Sequence, residues 1–520
     1  MLSSSSAAAG HARSPSDPAA GASPNELIVY DFRPRATMPL PSLSFGTSTT
    51  AGIASSSSTA SGGTVTPPLA STSPILGPMS INGNGAVRQQ HARSSSGSRS
   101  LHASLKIVQW NIERGYCLDA VIETLRAIDA DILCLQELDI GCARSGGRNC
   151  AREIAEALHM KCAFAAEFLE LDSSVRSERD GGGGLHGNAV LSHLDFTPHV
   201  LVHAYQAFDW ERDGEKKREP RRGGRCTVMA EFAVPGFGSN TPSSSSSSLT
   251  GTVAAAAAAV TQPLMVYSAH LEVFCGMLAR VAQFSEILGR ASCTRREFPM
   301  QFIGADLNTM AHGIARFSPS YCTDSMRWRT LGSTEAEWLT SNVLAPPAHA
   351  RDLPFNPALL SLNLPPAVVE AARNPGFHDP WDPVRDVTLS SHGGYYSGKL
   401  DWTLCMGLET VDRSMANLKY AASDHRALVV VVRPDPSARA WERYLRKWGV
   451  GPLPPSAPAS APASPVAAGS SGLRRRLLRD DEDDEGGWGR WGTVLGWTSA
   501  VAVVGAVAVG SAMWVRRHGG

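Results

Sequence analysis

Phe302-Ile303-Gly304-Ala305-Asp306-Leu307-Asn308 is a short apolar run that ends in a carboxylate and, two residues later, a carboxamide. A run of this kind reads as a buried strand. Side chains alternate along an extended chain, so Asp306 and Asn308 are expected on one side, able to share a ligand or a water. Taken alone, the pattern fits a turn or a helix cap equally well. Its weight comes from repetition elsewhere in the chain.

Working outward, the strand Leu264–His270 ends in a histidine, and the spacing predicts a helix from Met277 to Leu288 between it and the opening strand. Downstream, Lys399-Leu400-Asp401-Trp402 follows a Gly-rich turn, and Ser423-Asp424-His425 precedes a last strand over 426–432. Upstream, Leu105–Asn111 alternates as a strand that delivers Asn111 at its end, and 131–137 repeats the device with Glu137. Helices are expected over 119–128 and 152–159, and strands over 162–169 and 187–192. Strands alternating with helices give an α/β layered domain. Six strand ends thereby supply Asn111, Glu137, His270, Asp306 with Asn308, Asp401, and Asp424 with His425. Each has a plain alternative: Glu137 capping a loop, His270 as a core histidine, Asp424 as a turn former. Gathered at one rim, such oxygen and imidazole donors suit Mg²⁺ or Mn²⁺ rather than zinc.

The ordered series Trp110-Asn111, Gln136-Glu137, Gly187-Asn188, His270-Leu271, Gly304-Ala305-Asp306-Leu307-Asn308, Lys399-Leu400-Asp401 and Ser423-Asp424-His425 resembles the endonuclease/exonuclease/phosphatase superfamily, with its DNase I-like fold. The resemblance covers about residues 105–433. It implies a four-layer α/β/β/α sandwich acting on phosphoesters with a divalent metal. It further implies Glu137 as principal metal ligand, Asn111 beside it and Asp424 as an additional metal-site carboxylate. Asp306 would position the attacking water and Asn308 contact the phosphate. His425, oriented by Asp401, would face the reacting phosphate, and His270 would stabilise the phosphate or the departing oxygen. The chemistry needs these types, because a phosphodiester repels a nucleophile until its charge is offset and the water is held in line. Glu272, on the expected face of His270, either orients that ring or is solvated. The stretches Asn111–Gly115 and His270–Gly276 set the chain apart from the nucleases and leave the substrate open.

Composition is uneven. Residues 1–104 are rich in Ser, Ala, Gly and Pro and read as disordered. Glu26–Arg33 interrupts them and reads as a transiently ordered patch of tail, with an extra strand on the domain as the alternative. A Ser run and an Ala run mark an insertion at about 235–262. The charged segment Glu211–Arg222 reads as a solvated loop, with a phosphate-headgroup contact through Lys216, Lys217, Arg221 and Arg222 as the alternative. All ten cysteines lie within 105–433 with no C-x-x-C pair, so reduced, buried thiols are expected.

A Pro/Ala-rich and charged linker, 434–490, leads to 491–515, an uncharged stretch of about 25 residues. As a helix it would span roughly 37 Å, against a hydrocarbon core of about 30 Å. Trp491, Trp497 and Trp514 suit an interfacial belt, and Arg516-Arg517 follow. The stretch reads as a single-pass tail anchor, with the catalytic domain facing the cytosol. Net charge is zero and the domain carries no basic excess, which weighs against a grip on nucleic acid.

The expectation is therefore a membrane-anchored, Mg²⁺- or Mn²⁺-dependent phosphoesterase acting on a lipid or membrane-proximal phosphate. The chain resembles the sphingomyelinase and GPI-lipid-remodelling branches of the superfamily. The alternatives are an endonuclease or exonuclease, for which Tyr395-Tyr396 would stack a base, and a catalytically inactive, membrane-tethered binding module.

Overall fold

Both faces of the expected strands are apolar, which requires cover on both sides. The computed structural model describes residues 21–34, 104–235, 261–310, 333–344, 364–391 and 396–435, with positions 18, 19, 237, 324 and 326–329. The strands are β1 (Leu27–Asp31), β2 (Leu105–Asn111), β3 (Ile132–Ile140), β4 (Lys161–Glu170), β5 (Leu185–Ser192), β6 (Phe196–Val202), β7 (Arg221–Gly223), β8 (Cys226–Pro235), β9 (Thr261–His270), β10 (Met300–Asp306), β11 (Leu389–Ser391), β12 (Tyr396–Gly398), β13 (Asp401–Met406), β14 (Leu408–Ala416) and β15 (Ala427–Pro434). The large sheet runs β1-β4-β5-β3-β2-β15-β14, with β7 also on β4. The small sheet runs β13-β10-β9-β8-β6, and β11 pairs with β12.

Alternation sorts each strand between two cores. In β2, Ile107 faces the core between the sheets, whereas Val108 and Trp110 face α1 (Leu118–Ile128) and α2 (Cys150–Leu158). In β10, Phe302 joins the core between the sheets, and Ile303 packs beneath α3 (Met277–Thr294) and α4 (Pro366–Ala371). The layers therefore run helices, large sheet, small sheet, helices. Full burial of a side chain such as Phe302 stabilises the fold by about 1.5–3 kcal/mol. Gly304 sets how closely the sheets approach, since a Cβ there would lie 2.7 Å from the Cβ of Cys134 on β3. Both helices on the large sheet end on a left-handed residue, Asp129 and His159, which turns the chain sharply into the next strand.

Several expectations need correction. Leu27–Asp31 is a strand of the domain rather than a patch of tail: it pairs antiparallel with β4, and its alternation buries Ile28 and Tyr30. Tyr30 also accepts a hydrogen bond from Asn149, the residue capping α2. Glu137 does not end its strand, for β3 continues to Ile140 through an irregularity between Leu135 and Leu138. The segment 211–222 is not wholly solvated. Arg221 is buried beside Glu170, its guanidinium over the rings of Trp210 and Phe168 at 4.2 and 4.8 Å. Among the described cysteines, Cys117 and Cys293 are exposed rather than buried. Among the described residues no helix is long and apolar enough to cross a membrane. The stretch 491–515, the linker 434–490, most of 1–104 and of the 235–262 insertion, and the side chains of Tyr395 and Tyr396 lie outside the described residues.

Candidate active site

Strand register assembles half of the site. His270 and Asp306 are partners across the parallel pair β9–β10, and Asp306 and Asp401 across the antiparallel pair β10–β13. Three reactive side chains thus stand side by side at one end of the small sheet. The large sheet supplies the other half. Asn111 ends β2, Glu137 stands at the irregularity of β3, and Asp424 and His425 immediately precede β15. Ser423 pins this corner: its hydroxyl donates to the Asn111 carbonyl at 2.7 Å and accepts from the His425 backbone N–H at 3.0 Å. The Trp110 indole N–H donates to the His425 carbonyl.

The sequence-expected residues converge, with one exception. The Asn111 amide donates to Glu137 Oε1 at 3.1 Å and to Asp306 Oδ2 at 3.0 Å, while its carbonyl oxygen accepts from the Glu113 N–H. His270 Nε2 lies 3.6 Å from Asp306 Oδ2 and 3.9 Å from Glu137 Oε1. His425 Nδ1 is 2.8 Å from Asp401 Oδ2, and its Nε2 lies 3.8 Å from Asp306 Oδ2 and 3.9 Å from Asp424 Oδ1. Asn308 is the exception. The strand stops at Asp306 and Asn308 is left-handed (φ 52°), so alternation no longer holds. Its amide instead donates to the Leu271 carbonyl at 2.8 Å, and its N–H donates to Asp306 Oδ1. Glu272 neither orients His270 nor is solvated. It is buried and accepts from the Trp210 indole at 2.8 Å and from its own following N–H groups.

Electrostatics divide the two histidines. Burial and the nearby Arg225 cation push His270 well below its ordinary pKa, leaving it neutral. Burial also opposes a charged His425, but Asp401 and Asp424 outweigh it and hold that imidazolium well above the usual value. Burial, then the neighbouring Asp401 carboxylate, raises Asp306 to about 7. Burial resists ionisation of Glu137, yet the Arg114 guanidinium, 3.9 Å away, and the hydrogen bond from the Asn111 amide bring it below the usual carboxylate range.

Sequence reasoning quoted Glu113 and Arg114 but assigned them no role. Glu113, Arg114 and Gly115 are consecutive left-handed residues (φ 48°, 60° and 70°), a strained turn at the mouth of the site. Glu113 accepts from the Asp424 N–H, and burial with the Asp424 carboxylate raises it to about 7. Gly115 was the only sequence signal for this turn.

The donor set fits a hard divalent cation. Asp306, Asp401 and His425 offer atoms within 4.8 Å of one another, and Asn111, Glu137 and Asp424 border the same space. Carboxylates crowded until one is pushed to about 7 are short of positive charge, and the buried Nδ1 of His270 has no hydrogen-bond partner among the described residues.

Known proteins were compared with the chain. No curated protein sequence matches it. Among solved structures, an endonuclease/exonuclease/phosphatase from Beutenbergia cavernae is 14% identical, covering 64% of this chain and 72% of that one, with a TM-score of 0.36. The human Nocturnin catalytic domain with bound sulfate is 14% identical, covering 64% and 96%, with a TM-score of 0.33. The mannosyl-6-phosphatase Bt3783 of Bacteroides thetaiotaomicron is 11% identical, covering 63% and 99%, with a TM-score of 0.30. The sequence profile of the Endonuclease/Exonuclease/phosphatase family matches residues 108–425, from within β2 to the last site residue, and the chain belongs to that family.

Proposed function

We propose that the protein is a divalent-metal-dependent phosphodiester hydrolase held at a membrane by residues 491–515, acting on a lipid or membrane-proximal phosphate. The observation that carries the hydrolytic reading is one buried carboxylate, Asp306, approached from two sides by imidazoles in opposite protonation states, neutral His270 and charged His425. Asn111, Glu137 and Asp424 would hold the cation, which when bound draws charge from a phosphate oxygen. The remaining work falls to the chain's own side chains. Asp306, poised near neutrality, orients the attacking water and takes its proton. Water oxygen bonds to phosphorus as the bond to the leaving oxygen breaks. His425, kept protonated by Asp401, offers Nε2–H to the oxygens that gain charge. His270, neutral beside Glu137, stabilises the phosphate or the departing oxygen.

The lipid reading is supported by the anchor-like stretch and by a domain without basic excess. The test is hydrolysis of bis(p-nitrophenyl) phosphate by the full chain with Mg²⁺ or Mn²⁺, beside Glu137→Ala and His425→Ala. Activity indifferent to both substitutions overturns the assignment. Absence of activity across sphingomyelin, inositol lipids, RNA and DNA favours the inactive binding module, and preference for RNA or DNA favours the nuclease.

A further inference from the structure

Along one face of β2 the side chains run Leu105, Ile107, Gln109, Asn111. The first two belong to the apolar core between the sheets, and Gln109 breaks that stripe while fully buried. Its amide makes two donations: 2.8 Å to Gln136 Oε1 on β3 and 3.0 Å, across to the small sheet, to Asp401 Oδ1. Gln136 donates in turn to Ser268 Oγ on β9 at 3.0 Å, and Ser268 donates back to the Leu135 carbonyl of β3. A polar bridge therefore crosses the core directly beneath the site.

Gln109 Oε1 has no hydrogen-bond partner among the described residues although it is buried. The amide is nonetheless held this way round, because a carboxylate only accepts and turning the amide would set oxygen against oxygen. A buried, unsatisfied carbonyl is costly, and an apolar side chain here would continue the stripe without one. What the glutamine achieves is to hold one oxygen of Asp401. The carboxylate turns about a single bond, so anchoring Oδ1 leaves Oδ2 facing His425 Nδ1 at 2.8 Å. We infer that Gln109 is a positioning residue for the Asp401–His425 pair, with Gln136 and Ser268 fixing it from the opposite strands. The inference rests on the phosphoesterase reading of the site.

The experiment uses the full chain carrying Gln109→Met, with Gln109→Asn, an amide too short to reach Asp401, as the substitute should the Met variant not fold. On bis(p-nitrophenyl) phosphate with Mn²⁺, kcat is expected to fall about 10- to 100-fold with KM unchanged, since the residue acts on proton handling rather than on binding. Added to Asp401→Asn, the same change should cost less than about twofold further, because its effect passes through Asp401. In ¹⁵N-histidine spectra at fixed pH, the His425 Nδ1–H signal should be sharp in the unmodified protein and broadened in the variant. Full, independent loss on the Asp401→Asn background, or an unchanged His425 signal, overturns the inference. If Asp401→Asn alone leaves hydrolysis untouched, the reading of the site fails instead, and the His425 spectrum still decides the role of Gln109.

Discussion

Two of the buried clusters of charge among the described residues are built on opposite rules. On the β3, β4 and β5 side, Asp139 takes two hydrogen bonds from Arg144, at 2.6 and 2.8 Å, and faces His186 Nδ1 at 2.8 Å. Glu170 lies 3.1 Å from Arg144, 2.5 Å from Arg176 and 3.5 Å from Arg221. Each carboxylate there meets a guanidinium, and although burial opposes their ionisation, Arg144 and Arg221 bring Asp139 and Glu170 below the usual carboxylate range. At the candidate active site carboxylate faces carboxylate: Asp306 beside Asp401, and Glu113 beside Asp424. There Asp306 and Glu113 are raised, and of the site's carboxylates only Glu137, beside the Arg114 guanidinium, is lowered. Paired charge marks a cluster that holds the fold together, and crowded like charge marks one that awaits a cation or a substrate.

The strongest way to break this contrast is mutation of the unpaired centre. His425→Ala or Glu137→Ala is expected to lower kcat by about 10²- to 10⁴-fold in the aryl phosphodiester assay while leaving the urea midpoint near its original value. Loss of folding instead of activity would make the two clusters alike. Next comes Arg144→Leu, which strips the buried Asp139 of its guanidinium and Glu170 of one of its three. Its cost should be about 3–5 kcal/mol by urea denaturation, against little change in KM for the folded fraction.

The two clusters should also respond to pH with opposite sign. Asp306 is raised above its unfolded value, so between about pH 4 and 7 the native state binds more protons than the unfolded chain, and stability falls as pH rises, by up to about 1.4 kcal/mol per pH unit. Asp139 and Glu170 are lowered, so their contribution is present above about pH 4 and is lost as pH falls below it. Denaturation across pH should therefore show Asp306→Asn lessening the decline toward neutrality, to which the raised Glu113 also contributes, and leaving the acid limb intact. A cation that occupies the site should offset the same decline, so 10 mM Mg²⁺ is expected to raise the thermal midpoint more at pH 8 than at pH 5. The smallest effect concerns β1. Deleting residues 1–103 removes the burial of Ile28 and Tyr30 and bares the β4 edge, and should lower the thermal midpoint by about 5 °C or more. An unchanged midpoint would return β1 to the status of a tail.

Much of this was legible before any tertiary contact was known. Alternation and helical spacing located β2, α1, β4 and β10 within a residue or two and β9 within three, because they report local geometry. The order of Asn111, Glu137, His270, Asp306, Asp401 and His425 pointed to one rim, because in layered folds strand ends gather. What the local pattern missed depended on partners far along the chain. Glu137 is aimed by a strand irregularity with no sequence mark, and Asn308 lost its expected face where the strand stopped. Glu272 is held by Trp210, and Arg221 is buried between Glu170 and two rings.

For Phe302–Asn308, composition and alternation were enough to make it a buried strand ending in a carboxylate, with no role for that carboxylate until the other strand ends were counted. That burial and the neighbouring Asp401 carboxylate raise Asp306 to about 7, within reach of two imidazoles, is decided by other segments of the chain and by the closeness of the sheets that Gly304 permits. Gln109 and Asp401 stand 292 residues apart, yet one hydrogen bond joins them. Strand propensity is a property of neighbours in sequence, whereas charge, proton affinity and amide orientation are set by neighbours in space.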